Sequence, residues 1–379
     1  MDLSLLLHSR SGSPADDPWR GYARRLGRLD PSLLSATPDF MVIGPPKTGT
    51  SWMFANLSQH PGIYMPEGKE LRYFDLHWRS ADINSYVSRF APGIGRLKGE
   101  ASPTYCLLPE PAIAAIRRLN PAMKLILLAR DPVAQAWSLL KHNYRHQEAT
   151  FHGCQTAFEA LDRRHLVEHF VSDYALSCLD HLGIHQRWRR FFPDRQIWVG
   201  TLEEIAADPH RCIASVLAFL GLEPSPGPAL QHLTETVNAG LPHPIDPASA
   251  ALLRSLHRRR ASRFLQAIRR HYRRDIGSGW DTTWQGEQLR KPVPVPAGDS
   301  GHFLFDGAFH AWLTPPRRPV TVQAPFRFEL DRLRGLHEAL PRLLSPLLQR
   351  PPRGWAAGVS NQRLRNVLDD EARRLGVTA

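Results

Sequence analysis

Lysine is scarce in this chain, with Lys47, Lys69, Lys98, Lys124, Lys141 and Lys291 its only examples among 379 residues. Because Lys and Arg together number 48, the basic residues are nearly all Arg, and each Lys is informative by its rarity. Cysteine is scarcer still. Cys106, Cys154, Cys178 and Cys212 lie far apart with no C-x-x-C pair, a spacing that excludes a disulfide framework or a zinc knuckle and fits a reducing compartment. Long apolar runs are missing too. The opening MDLSLLLHSRSG holds an apolar stretch too short for a signal h-region, and no segment approaches the ~18 apolar residues of a membrane span. These absences lead to the expectation of a soluble, cytoplasmic protein with no membrane span.

What is present is ample for folding. A 42% hydrophobic and 22% charged composition supports one large globular domain with an appendage, or two modest domains. The formal charge of +12 favours anionic partners, whether nucleotides, sulfated or phosphorylated ligands, nucleic acid or a membrane surface, without choosing among them. Residues 1–38 are rich in Ser, Pro, Asp and Arg and read as an N-terminal extension. From Asp39 onward, short apolar runs end in loops and lead into amphipathic stretches: FMVIG into SWMFANL, MKLILLAR into VAQAWSLL, RQIWVG into HRCIASVLAFLGL. That alternation means buried parallel strands and crossover helices, an α/β layered domain over residues 39–285. KPVPVPAGDSG is a linker. Residues 286–379, with aromatic-rich FLFDGAFHAWL and a Leu-rich helical pattern over 328–348, form a C-terminal extension.

The segment FMVIGPPKTGTSW runs from a buried strand through a loop of two glycines and three hydroxyl residues into a helix. Backbone N–H groups of Lys47 to Ser51 there face a concavity at a helix N-terminus, where unpaired donors and the positive dipole end favour a phosphate. Against G-x-x-x-x-G-K-[ST], Gly44 and Gly49 match, but Thr50 stands in the lysine position and Lys47 lies inside the loop. No obvious aspartate for Mg²⁺ accompanies it. A second segment, KLILLARDPVAQAWSLL, ends a strand at Arg130, with Asp131 as helix N-cap and Pro132 at the first helical position.

The pattern G-x-x-K-[ST]-G-T-[ST]-W resembles the 5′-phosphosulfate loop of sulfotransferases that use 3′-phosphoadenosine 5′-phosphosulfate (PAPS). R-D-P with Ser138 resembles that family's 3′-phosphate signature. The resemblance spans about residues 39–285 and is closer to the carbohydrate-acting and bacterial members than to the cytosolic small-molecule type. It implies a P-loop NTPase-like three-layer α/β fold, a central parallel sheet flanked by helices, with PAPS as donor and no metal. In this resemblance Lys47 supports the leaving group; Thr48, Gly49, Thr50 and Ser51 cradle the 5′-phosphosulfate; Trp52 stacks on or flanks the adenine; Arg130 and Ser138 clamp the 3′-phosphate.

Sulfuryl transfer needs a base for the acceptor and a cation for the leaving oxygen. KELRYFD resembles the E-x-x-x-F-[FD] stretch of the carbohydrate-acting members, which makes Glu70 the candidate base and Asp75 a substrate-side carboxylate. The cytosolic members use a His base, and His77 is the nearest in sequence. GEASPTYC resembles the family's G-E-K-[ST]-P-x-Y, with Ala101 where glycan enzymes often carry Lys. The acceptor stays open among carbohydrate, lipid and small molecule. V-N-A-G-L-P-H-P, residues 237–244, falls where the family has a cofactor-covering loop.

Other readings carry less. His165 and His169 in H-x-x-E-H match an inverted zinc-protease motif, but no third ligand can be assigned. The Arg-rich run from His257 to Asp275 keeps apolar residues at near-helical spacing, an amphipathic helix with a solvated Arg face rather than a nucleic-acid reader. A P-loop kinase or NTPase is disfavoured by Thr50, and a non-catalytic anion-binding relative requires Glu70 to lie far from Lys47.

Overall fold

The computed structural model describes residues 18–280 apart from 79, 147–150, 152, 153, 162, 224–232, 234–240 and 278. The C-terminal extension at 286–379, the first part of the N-terminal extension and 237–240 of the covering loop lie outside the described residues. The chain divides into two compact units, one formed by residues 1–131, 180–239 and 263–280, the other by 132–179, 240–262 and 281–379.

The first unit is built on a sheet of five parallel strands in the order β2-β3-β1-β4-β5. They are β1 (Phe40–Gly44), β2 (Ile63–Tyr64), β3 (Leu97–Ala101), β4 (Lys124–Ala129) and β5 (Ile197–Thr201). β1 is buried along its whole length, as a central parallel strand covered on both faces must be. The expected run of strand, crossover and strand is thus present, and the fold is the α/β, P-loop-like layered sheet.

Helices α1 (Pro18–Leu26), α2 (Thr50–Leu57), α3 (Ile83–Ser88) and α4 (Glu110–Leu119) belong to this unit. In the second lie α5 (Pro132–Arg145), α6 (Arg163–Phe170) and α7 (Asp173–Cys178). The first resumes with α8 (His181–Arg189), α9 (Leu202–Ala207) and α10 (Pro209–Leu220). The amphipathic helix expected in the Arg-rich run is α11 (Pro247–Tyr272), with Leu252, Leu253, Leu256, Phe264 and Ile268 buried.

One core cluster joins Phe40, Val42, Ile126, Leu128 and Trp198 of the strands to Met53 and Leu57 of α2 and to Ile213, Val216, Leu217 and Leu220 of α10. Each such side chain taken fully out of water contributes roughly 2 kcal/mol. Polar anchors finish the frame. Lys98 is buried on Asp39 at 2.7 Å, and Lys124 donates to the last carbonyls of α10, Phe219 O at 2.8 Å and Leu220 O at 2.9 Å. Part of the N-terminal extension packs here as well: Tyr22 of α1 stacks on Trp78 and donates to Phe74 O at 2.9 Å.

In the second unit α5 holds the chain at 241–243. Trp137 Nε1 donates to His243 O at 2.7 Å, Lys141 Nζ to Leu241 O at 2.6 Å, and Phe158 stacks on the His243 ring. His169, from the H-x-x-E-H match, is fully buried with its ring beside those of Phe151 and Phe170. Burial drops its pKa to about 3, so it is a neutral core residue.

Candidate active site

The carboxyl ends of β1, β3 and β4 gather the sequence-predicted residues of the first unit. β1 ends at Gly44, whose φ of 89° lies in the left-handed region. A Cβ at that position would stand 2.0 Å from Pro103 O, so only glycine lets the loop leave the strand so close to the chain after β3. The loop then holds Lys47 at φ 66°, an unusual conformation for a side-chain-bearing residue, and Gly49 at φ 95°. Thr48 is buried, and its hydroxyl closes the loop on Pro45 O at 2.7 Å.

Helix α2 starts at Thr50 with Gly49 as N-cap and no side chain capping it. The first amides of α2 therefore lack the internal acceptor that Ser, Thr, Asp or Asn supplies at most helix starts, which is the arrangement that receives an anion. Ser51 is half-buried beside them. Trp52 is 5% exposed, and its Nε1 donates to Leu233 O at 3.0 Å.

Arg130, just past the end of β4, reaches back and donates from Nη1 to Lys47 O at 3.2 Å. The guanidinium is thereby held at the mouth of the loop. Burial lowers its pKa, opposed by the nearby charges of Glu203 and Asp131. Glu203, at the start of α9, accepts from the Asp131 backbone N–H at 3.0 Å and from Trp280 Nε1 at 3.1 Å. Ser138 lies on α5 in the second unit, half-buried beside Trp137.

On the other side of β1, the segment from Lys69, which follows β2, meets the carboxyl end of β3. Glu70 N donates to Ala101 O at 2.9 Å, and Ala101 pairs in register with Val42 of β1. Glu70 thus stands at the same sheet edge as the loop. Its side chain is exposed and paired with Lys69 at 2.9 Å. Glu70 at φ 71° and Arg72 at φ 50° make this a tightly constrained bend. Asp75 Oδ2 accepts from Arg72 Nε at 3.1 Å and from the Thr104 hydroxyl at 2.6 Å. His77 closes the π turn Tyr73–His77 with its backbone N–H on Arg72 O, and its side chain is exposed.

Glu100, the acidic residue of the GEASPTYC stretch to which the sequence assigned no role, lies 1% exposed on β3 between these two segments. Tyr86 donates to its Oε1 and Ser102 to its Oε2 at 2.8 Å. Loss of water raises its pKa to about 7, against the hydrogen bonds from Tyr86 and Ser102.

A lysine-bearing loop, an arginine bonded to it and a carboxylate are thus gathered at the carboxyl ends of β1, β4 and β3. A family model described as a sulfotransferase domain matches residues 37–239. The chain belongs to the sulfotransferase family. It is 28% identical over 208 residues to the mouse bifunctional heparan sulfate N-deacetylase/N-sulfotransferase 4, covering 49% of this chain and 22% of that protein. It is 30% identical over 193 residues to the human heparan sulfate glucosamine 3-O-sulfotransferase 3B1, covering 49% of this chain and 46% of that protein. A sulfotransferase from Alicyclobacillus acidocaldarius, of known structure, matches 64% of this chain and 98% of its own at 24% identity and a TM-score of 0.48. The matched region thus spans between about a fifth and a half of these two curated relatives.

Proposed function

We propose that this protein transfers a sulfuryl group from PAPS to an amine or hydroxyl of a carbohydrate. The observation that carries the reading is the bond from Arg130 to Lys47 O, which brings a fixed guanidinium to a loop whose helix amides have no internal cap. The group supplied by PAPS is an activated sulfuryl on a phosphate that leaves. Lys47 offsets the negative charge that develops on the leaving oxygen. Thr48 to Ser51 present their amides and hydroxyls to the 5′-phosphosulfate, and Arg130, with Ser138 by family resemblance, receives the 3′-phosphate. Glu70 takes the acceptor proton, and Asp75 orders the acceptor side through Arg72 and Thr104. Kinship to heparan sulfate enzymes supports a glycan acceptor, while Ala101 stands where, by the resemblance, glycan-acting members often carry lysine. Four cysteines with no disulfide among them support action in a reducing, cytoplasmic compartment.

Isothermal titration with 3′-phosphoadenosine 5′-phosphate, against ADP and ATP with Mg²⁺, tests the donor site. Labelled PAPS with de-N-sulfated heparin, a phenol and a sterol as acceptors tests the chemistry. The expected result is binding that requires the 3′-phosphate and label incorporated into the glycan. ATP with Mg²⁺ binding in preference to the 3′-phosphorylated nucleotide would overturn the assignment.

A further inference from the structure

The Ser102 hydroxyl connects Glu100 to the backbone that carries the candidate base. Ser102 Oγ accepts the Arg72 N–H at 3.1 Å and donates to Glu100 Oε2 at 2.8 Å. The Tyr105 hydroxyl accepts the Phe74 N–H at 3.3 Å and stands within electrostatic reach of the Glu100 carboxylate. Since a hydroxyl has one proton, accepting from an amide leaves that proton for the carboxylate. Burial holds the Tyr86 and Tyr105 phenols well above their ordinary pKa, so both keep their protons to donate. One buried carboxylate therefore fixes the direction of the Ser102 hydroxyl, and that hydroxyl fixes the Arg72 amide of the Glu70–His77 segment.

We infer that Glu100 is a positioning residue of the transfer site, acting through Ser102 to hold the bend that presents Glu70. The inference rests on the sulfotransferase reading above. The groups facing Glu100 are Tyr86 from α3, with Tyr73 stacked on it, Ser102 and Tyr105 after β3, and Asp75 with its partner Arg72 from the bend. When Glu100 is ionised it accepts from the surrounding hydroxyls. When protonated it must donate to one of them, and that hydroxyl turns its own proton away. Burial sets this change at a pKa of about 7, so the bend is held most firmly on the alkaline side of neutrality.

The test uses the full chain and the variants Glu100→Gln, Ser102→Ala and Tyr86→Phe. Tyr86→Phe removes a bond to the same carboxylate that does not lead to the bend. Glu100→Gln and Ser102→Ala should bind 3′-phosphoadenosine 5′-phosphate as the wild type does and lose about 10- to 100-fold in kcat with labelled PAPS and de-N-sulfated heparin. Tyr86→Phe should change kcat far less. A limb of the wild-type kcat profile near pH 7 should vanish in Glu100→Gln. Residue-resolved amide exchange supplies a readout free of activity: the Arg72 amide should exchange faster in Glu100→Gln. Equal kcat losses in Tyr86→Phe and Ser102→Ala, or unchanged exchange at Arg72, would overturn the positioning role. A wild type that binds no 3′-phosphorylated nucleotide and transfers no label overturns the functional reading instead.

Discussion

A buried strand turns into a helix after β1 and again after β5, and the two turns are finished in opposite ways. After β5, Thr201 accepts the Glu204 N–H at 3.1 Å while Glu204 Oε2 accepts the Thr201 N–H at 2.9 Å, so the helix start is satisfied from within. After β1, Gly49 offers no side chain, Lys47 takes a left-handed conformation, and the start of α2 is left for an outside acceptor. A closed turn serves the fold, whereas an open one gives up about 1 kcal/mol of capping and becomes a receptor for anions. The neighbouring lysines sharpen the contrast. Lys98 and Lys124 are spent on Asp39 and on helix carbonyls, while Lys47 is placed where the helix dipole already favours negative charge.

The largest break of this contrast is Gly44→Ala. The new methyl meets Pro103 O and the backbone must leave φ 89°, which costs about 3 kcal/mol or more and lowers Tm by roughly 10 °C. Calorimetry with and without 3′-phosphoadenosine 5′-phosphate should show a lower Tm and little stabilisation by the nucleotide. A variant with wild-type Tm and wild-type ligand response contradicts the argument for this turn.

Next in size are Lys47→Ala and Arg130→Ala, whose effects should separate. Losing the cation at the leaving oxygen should reduce kcat about 100-fold or more with a small change in nucleotide affinity. Losing the guanidinium should weaken 3′-phosphoadenosine 5′-phosphate by about 10- to 100-fold, the worth of a charged hydrogen bond, and loosen the loop it holds through Lys47 O. Titration and single-turnover kinetics on both variants decide the matter. If the two lose affinity equally, no division of labour exists.

These residues are legible in the sequence because each belongs to a contiguous pattern. Strand, glycine, lysine, hydroxyls and helix follow one another in β1 and α2, and Arg130 is the residue that ends an apolar strand. Trp52 belongs to the same run, but the bond from its indole N–H to Leu233 O reaches 181 positions along the chain, which no local pattern shows. Glu100 escapes for the same reason. Its burial depends on Tyr86 in one helix and Tyr105 in the following turn, and a carboxylate in a strand looks the same in sequence whether it faces water or three hydroxyls. The pairing of Glu70 with Lys69, by contrast, is between adjacent residues and is visible in the sequence alone.

A smaller effect comes from the sealed interior. Burial lowers His181 to about 4 and His185 to about 3 in the first unit, as it lowers His169 to about 3 in the second. Each folded pKa is below the ordinary 6.5, so their contribution to stability is fully present above pH 6.5 and is lost as pH falls toward 4. Glu100 works in the other direction. Its raised pKa means that its contribution is complete below 4.5 and is lost as pH rises through about 7. Tm should therefore fall on acidification below 6.5, and Glu100→Gln should compare better with the wild type at pH 8 than at pH 5. A wild-type Tm that is flat between pH 6.5 and 4 contradicts the neutral, buried histidines.

The smallest effect tests the closed turn. Thr201→Ala removes the side-chain half of the capping box and should cost about 1 kcal/mol, or about 3 °C in Tm. The backbone N–H of residue 201 keeps its acceptor in Glu204, so the turn stays in place. Affinity for 3′-phosphoadenosine 5′-phosphate should then remain within about twofold of wild type, because amides freed at α9 belong to a different strand end from those at α2. Were the nucleotide instead bound more weakly in Thr201→Ala than in Arg130→Ala, the receptor would lie at β5, and the open turn after β1 would have to be explained as a feature of the fold alone.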